Sequence, residues 1–195
     1  MPEPEPSEAL IDATAIAGRL AVRLDAECLE YAFGGAIALG YWAEPRGTVD
    51  VDLTLYLQET DPFDRLDVLE RIGCALSRID AAVSIREHGF CRVQFEGARL
   101  DTFFPTLPFY ELARERRRQV KLNGHTVYVW GPEVLCVFKM MFFRRKDIAD
   151  VEQILRVQGP GLDRDWVRAQ VVDIYGARDP RVSQWDELCT EIKPA

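Results

Sequence analysis

The sequence predicts an α+β fold, a mixed β-sheet flanked by helices and followed by a C-terminal helical part. Three observations predict it. Short alternating segments rich in β-branched residues, VDVDLTLYL at 49–57 above all, are interleaved with segments of helical period up to about residue 130. The pair Asn123-Gly124 inside KLNGHTVYVW is a type I′ hairpin signal. Beyond Gly131 the apolar period is helical throughout.

In chain order, EALIDATAIAGRLAVRLDAECLE at 8–30 sets apolar side chains at helical intervals and reads as an amphipathic helix. YAFGG reads as a short strand ending in a glycine turn, and AIALGYWA as a short helix that Pro45 and Gly47 interrupt. The strand VDVDLTLYL follows. PFDRLDVLERIGCALSRI is predicted as one helix opened by its proline. AAVSIREHG and CRVQFEG are predicted as strands, the EGAR turn leads to the extended LDTFF, and FYELARERRRQV reads as a helix before the hairpin. Residues 132–143, 146–157, DRDWVRAQVVDIYG and SQWDELCTEI complete the helices. The expected organisation is a disordered terminus over 1–9, an α/β core over 10–130 and a helical subdomain over 131–195.

The 195 residues, 48% of them hydrophobic, suffice to bury a core. The opening MPEPEPSEA lacks the basic start and apolar run of a signal peptide, so a cytoplasmic location is expected. Five scattered cysteines, never spaced C-x-x-C, read as reduced thiols, and His88 and His125 have no metal-ligand companion, which disfavours a zinc site. The net charge of −8 disfavours unselective nucleic-acid binding. Against that average stands a basic run, Arg114, Arg116, Arg117, Arg118 and Lys121, a possible phosphate track or a solvated helix face.

The stretch GGAIALGYWAEPRGTVDVD, residues 34–52, holds the chemistry. Alternation points Asp50 and Asp52 to one face of their strand and Val51 and Leu53 to the other. Adjacent carboxylates raise each other's proton affinity unless a cation lies between them, so a divalent metal is the reading. Gly34 and Gly35, between strand and helix, allow a ligand close to the backbone and leave N–H groups for a phosphate. Arg46 and Thr48 either fix the loop or touch phosphates. Together these point to a metal-bound nucleoside triphosphate.

That stretch resembles the signature of the DNA polymerase beta-type nucleotidyltransferase superfamily, a glycine turn followed by D-x-D at this distance. It is similar in particular to the minimal nucleotidyltransferases of the AbiEii and MenT toxin group. PEVLCVFKMMFFRRKDIADVEQIL is similar to that group's lysine helix and the K-D-x-x-D helix after it. The resemblance covers roughly residues 30–160 and implies a nucleotidyltransferase fold. It implies a third carboxylate, for which Asp101 in RLDTFF is the candidate, and two Mg²⁺ ions held by Asp50, Asp52 and Asp101. It implies a triphosphate-facing Lys139, with Asp147 or Asp150 as the downstream acid and Lys146 and Asp147 near the nucleotide. On the residues alone, Lys139 also reads as a lysine snorkelling from an apolar helix.

The activity implied is Mg²⁺-dependent transfer of a nucleoside monophosphate from an NTP to a macromolecular acceptor. The toxin-type resemblance adds tRNA as acceptor, lying along Arg114 to Lys121, and a cognate antitoxin as partner. A protein or small-molecule acceptor, or a catalytically silent nucleotide-binding protein, are the alternatives. One departure is Gly35, where the family often has serine, so phosphate binding is left to backbone N–H groups.

Overall fold

The computed structural model describes residues 12–193. The predicted disordered terminus lies outside that range. A six-stranded mixed sheet in the order β3-β4-β2-β1-β6-β5 organises the chain. Its strands are β1 (Glu30–Phe33), β2 (Asp50–Tyr56), β3 (Phe90–Phe95), β4 (Ala98–Phe103), β5 (Arg117–Leu122) and β6 (His125–Trp130). β2 pairs parallel to β4 and antiparallel to β1, β1 parallel to β6, and the hairpins β3-β4 and β5-β6 close the two edges.

The pleat sorts the two faces. Val51, Leu53 and Leu55 of β2 are fully buried. α1 (Ala13–Ala26) packs on β1, β2 and β6, and its apolar stripe Ile16, Leu20 and Leu24 joins the same core. Asp12 caps α1 by accepting from the Thr14 and Ala15 N–H groups. α2 (Gly35–Trp42) leads off the glycine turn, and the Trp42 indole N–H donates to the Trp130 carbonyl at 2.7 Å, fixing that helix to β6.

The opposite face, carrying Asp50, Asp52, Thr54 and Tyr56, is roofed by α6 (Pro132–Phe142), whose Phe138 ring packs against Trp130 and Tyr110. Behind α6 stand α7 (Arg145–Gln158), α8 (Arg164–Tyr175) and α9 (Pro180–Glu191). This is the α+β arrangement expected, a mixed sheet with helices on both sides. Among the described residues no helix is long and apolar enough to cross a membrane. All five cysteines are free thiols. Burial pushes Cys74 and Cys91 up to about 12, which leaves them unreactive.

Three expected elements are corrected. The single helix expected over 62–79 is α3 (Pro62–Arg71), and a second helix, α4 (Arg78–His88), takes up the predicted strand 81–89. Gly73, at φ +97°, breaks the first helix, and Ala75 then exchanges backbone hydrogen bonds with Gln94 of β3. Ala81, Ala82 and Ile85 lie on one helical stripe that buries, and Gly89 at φ +70° ends α4. The helix expected over 109–120 is only α5 (Phe109–Glu115), because six cross-strand pairs with β6 take Arg117–Leu122 into the hairpin. Asn123 and Gly124, at φ +49° and +85°, form the expected turn of that hairpin.

Candidate active site

The site starts from register. Asp52 of β2 and Asp101 of β4 are direct neighbours across a parallel pair, and Asp50 lies two residues back on the same face. Thr48 secures the strand entry: the Asp50 N–H donates to its hydroxyl, which in turn donates to the Asp50 carbonyl. Gly34 donates its N–H to the Asp52 carbonyl at 2.9 Å, tying the glycine turn to the same strand.

Gly35 is dictated twice. Its φ of +52° is left-handed, and a Cβ there would stand 1.8 Å from Asp52 Oδ2. The serine often found at this position in the resembling family does not fit beside this carboxylate. Gly35→Ala should therefore displace Asp52 and lower stability by about 1–3 kcal/mol. Urea unfolding measures the second effect, and an alanine variant as stable as wild type would refute the reading.

Asp52, like Asp50 and Asp101, is partly buried. Burial, then the charge of Asp101 and that of Asp50, push its pKa up against the opposing pull of Lys139 and Lys146. Asp101 accepts two hydrogen bonds from Arg92, at 2.7 and 3.2 Å, and Arg99 pairs with Asp50. Among the described residues no three metal-ligating side chains already converge on one point. Asp50 and Asp101 are instead turned onto the two arginines, which supply the cationic charge that this cluster requires. A face of three carboxylates, one of them held against its ionisation by the other two, fits a divalent cation or a pair of them.

Across the cleft, Lys139 is 5% exposed and is no snorkelling lysine. Its Nζ donates to Asp150 Oδ2 at 2.6 Å and Asp147 Oδ1 at 3.3 Å. Arg46 grips Asp150 with two bonds of 3.1 Å, pinning the loop before β2 to α7. Arg144 grips Asp147 at 2.6 Å, while the same carboxylate accepts from the Arg144 backbone N–H and caps α7. Three cations face two carboxylates, so the cluster carries one excess positive charge. The ammonium has three donors and spends two on carboxylates.

Gly34, Gly35, Arg46, Thr48, Asp50, Asp52, Asp101, Lys139, Arg144 and Lys146 all line one cleft of about 560 Å³. The structure thus brings together every predicted site residue except Asp147, which together with Asp150 sits behind Lys139 and holds it rather than facing the cleft. Sequence reasoning missed Arg92 and Arg99, and it missed an aromatic wall of Phe103, Tyr110, Trp130, Phe138 and Phe142. The signal for the arginines was their alternation with buried residues in CRVQFEGARLDTFF, visible only once Asp101 is paired with its neighbour strands.

The predicted basic run is elsewhere. Arg114 and Arg117 pair with Glu30, Arg116 stacks over Trp166 at 4.0 Å, and Lys121 donates to Thr126. Arg117, Arg118 and Lys121 lie on β5, at the sheet edge remote from β4.

No protein-family model and no curated protein sequence matches the chain. Solved structures do. The antibiotic-resistance factor ANT(2″)-Ia superposes with a TM-score of 0.58 at 15% identity, covering 87% of this chain and 96% of its own. A nucleotidyltransferase-like antigenic protein from Paracoccidioides brasiliensis matches at TM-score 0.50 and 18% identity over 93% and 96% of the two chains. The lincosamide antibiotic adenylyltransferase LnuA, bound to lincomycin, matches at TM-score 0.51 and 12% identity over 73% and 96%. The six-stranded mixed sheet, with its glycine turn and its paired aspartates, has the nucleotidyltransferase fold.

Proposed function

We propose that this chain is a Mg²⁺-dependent nucleotidyltransferase that moves a nucleoside monophosphate from an NTP to an acceptor hydroxyl. The observation that carries the proposal is the set Asp50, Asp52 and Asp101 on one face of two neighbouring parallel strands, opposite the buried Lys139. Those three residues would hold the divalent ions, which when bound neutralise the triphosphate and acidify the attacking hydroxyl.

The residues of the chain set the remaining roles. The acceptor oxygen forms a bond to the α-phosphorus, the bond from that phosphorus to its bridging oxygen breaks, and pyrophosphate leaves. A carboxylate oxygen of Asp101, the acid farthest toward the sheet edge, takes the hydroxyl proton. Lys139, Lys146 and Arg144 line the opposite wall, where the charge of the leaving group accumulates, and their network holds that charge in place beforehand. Gly34 and Gly35 bring the start of α2 against the phosphates.

An RNA acceptor, tRNA in the toxin-type reading with an antitoxin as partner, is the reading that we carry forward. A small-molecule acceptor is the second. It is favoured by the likeness to ANT(2″)-Ia, also solved in complex with adenylyl-2″-tobramycin, and to LnuA. The test is incubation with each α-³²P-labelled NTP and Mg²⁺, with total tRNA, a cell protein extract or an aminoglycoside as acceptor in separate arms, and with Asp50→Ala as control. Label on RNA from one nucleotide, lost in the variant, is expected. Label on neither RNA, protein nor antibiotic acceptors would sink the proposal.

A further inference from the structure

The hairpin β3-β4 carries, on the face that continues from the carboxylates, three successive cross-strand pairs: Gln94 with Arg99, Arg92 with Asp101, and Phe90 with Phe103. β3 is an edge strand of the sheet, and this face is open. The Arg92 and Arg99 side chains are 56% and 47% exposed, and Gln94 is exposed. Phe90 and Phe103 stack at 5.5 Å, and Phe103 meets the half-exposed Phe142 ring edge-on. A shallow groove runs on from Asp50, Arg92 and Arg99 past Gln94 to Ser77.

We infer that this two-stranded face is the acceptor platform, and that its occupant is the single-stranded 3′ end of a nucleic acid. The inference rests on the nucleotidyl-transfer reading and deepens it by naming the acceptor surface. Three features favour that occupant. Cations and stacked aromatic rings side by side match the alternation of phosphates and bases along a single strand. The platform abuts Asp101, the proton-accepting carboxylate, so a strand lying on it ends with its terminal hydroxyl at the reacting position. Two arginines there also select against a polycationic acceptor such as an aminoglycoside.

In this structure the arginines close onto the carboxylates. Divalent ions held by these carboxylates would compete with Arg92 and Arg99 for them and leave both arginines free for a phosphate. The opposite edge suits the role poorly, since β5 is four strand spacings from β4, roughly 20 Å at the usual separation. Arg117 on that strand, and Arg114 on α5 beside it, are also spent on Glu30.

The experiment measures binding of a fluorescein-labelled random 12-nucleotide RNA by anisotropy, in Mg²⁺ and a non-hydrolysable NTP analogue, across a salt series. Wild type is compared with Arg92→Ala, Gln94→Glu and, on the far edge, Arg118→Ala/Lys121→Ala. Binding of the NTP analogue is measured separately on each protein. The inference expects Gln94→Glu to bind RNA at least five-fold more weakly with nucleotide binding retained, and Arg92→Ala, whose side chain also pairs with Asp101, to weaken RNA binding as much. It expects the salt slope to fall by about 0.7 for the lost arginine, and the far-edge variant to match wild type. Nucleotide binding without RNA binding in the wild type, or RNA binding lost only in the far-edge variant, overturns this inference and leaves nucleotidyl transfer standing. Loss of nucleotide binding by the wild type itself overturns the reading beneath it.

Discussion

Asp52→Asn should abolish nucleotidyl transfer and, in the absence of metal, make the protein more stable. The loss in activity should exceed the roughly 100-fold typical of the outer partners of metal ligands, because Asp52 is proposed as a ligand itself. The gain in stability follows from its surroundings. Burial and the charges of Asp101 and Asp50 raise the Asp52 pKa above the ordinary value of about 3.9. A group whose folded pKa is raised contributes stability that is fully present below its unfolded value and is lost as pH rises through its folded value.

At pH 7, therefore, the wild-type fold holds Asp52 against its own preference, and asparagine removes that cost while keeping the shape. Thermal melting in EDTA from pH 4 to 8 checks this. The difference in Tm between variant and wild type should grow with pH through the raised pKa, by about 2–4 °C for each kcal/mol recovered. Adding Mg²⁺ should raise the wild-type Tm and leave that of the variant unmoved. An Asp52→Asn protein less stable than wild type throughout would show that the carboxylate is there for the fold.

That conflict between local comfort and chemistry is also what made the site readable. Aspartates two apart at the start of a strand, fourteen residues after a glycine pair, disobey strand propensity, and violations of that kind concentrate at functional positions. Elements set by local rules were legible likewise: the alternation of β2, the Asn123-Gly124 turn, and the proline opening of α3. What escaped was decided at a distance. The segment 117–120 is helical by propensity, yet its ladder with β6 makes it a strand. α4 looked like a strand because Val83 and Ile85 suit one, but Ala81, Ala82 and Ile85 are the residues that bury.

The cationic half of the site was half legible. Arg46, Lys139 and Lys146 stand in recognisable spacing, but that Asp147 and Asp150 both turn inward to Lys139 depends on how α7 folds back on α6. Arg92 and Arg99 depend on the register of β3 and β4. No pattern of spacing along one segment reports a contact that two segments make together.

Lys139→Met should cost about 1–3 kcal/mol, the range for leaving buried acceptors short of a charged hydrogen-bond donor, because Asp147 and Asp150 lose the shared ammonium and keep only Arg144 and Arg46. These carboxylates are 0% and 4% exposed, and the ammonium is the contact they share. Burial alone would push the Asp147 carboxyl up; the hydrogen bond from Arg144 and the charges of Lys139 and Arg144 hold it below the usual carboxylate range. Its contribution is present above about pH 3.9 and is lost as pH falls through the depressed folded value. The gap in unfolding free energy between wild type and Lys139→Met should accordingly be widest near pH 7 and close toward pH 3, as read by urea denaturation. Neutralising the two acids as well, in Lys139→Met/Asp147→Asn/Asp150→Asn, should recover most of the stability, since the charges that remain, on Arg46 and Arg144, reach solvent. Activity should not return with it, because the ammonium proposed to face the triphosphate is still missing. A triple variant that regains both would reduce Lys139 to a structural strut; one that regains stability alone separates holding the fold together from holding the leaving group.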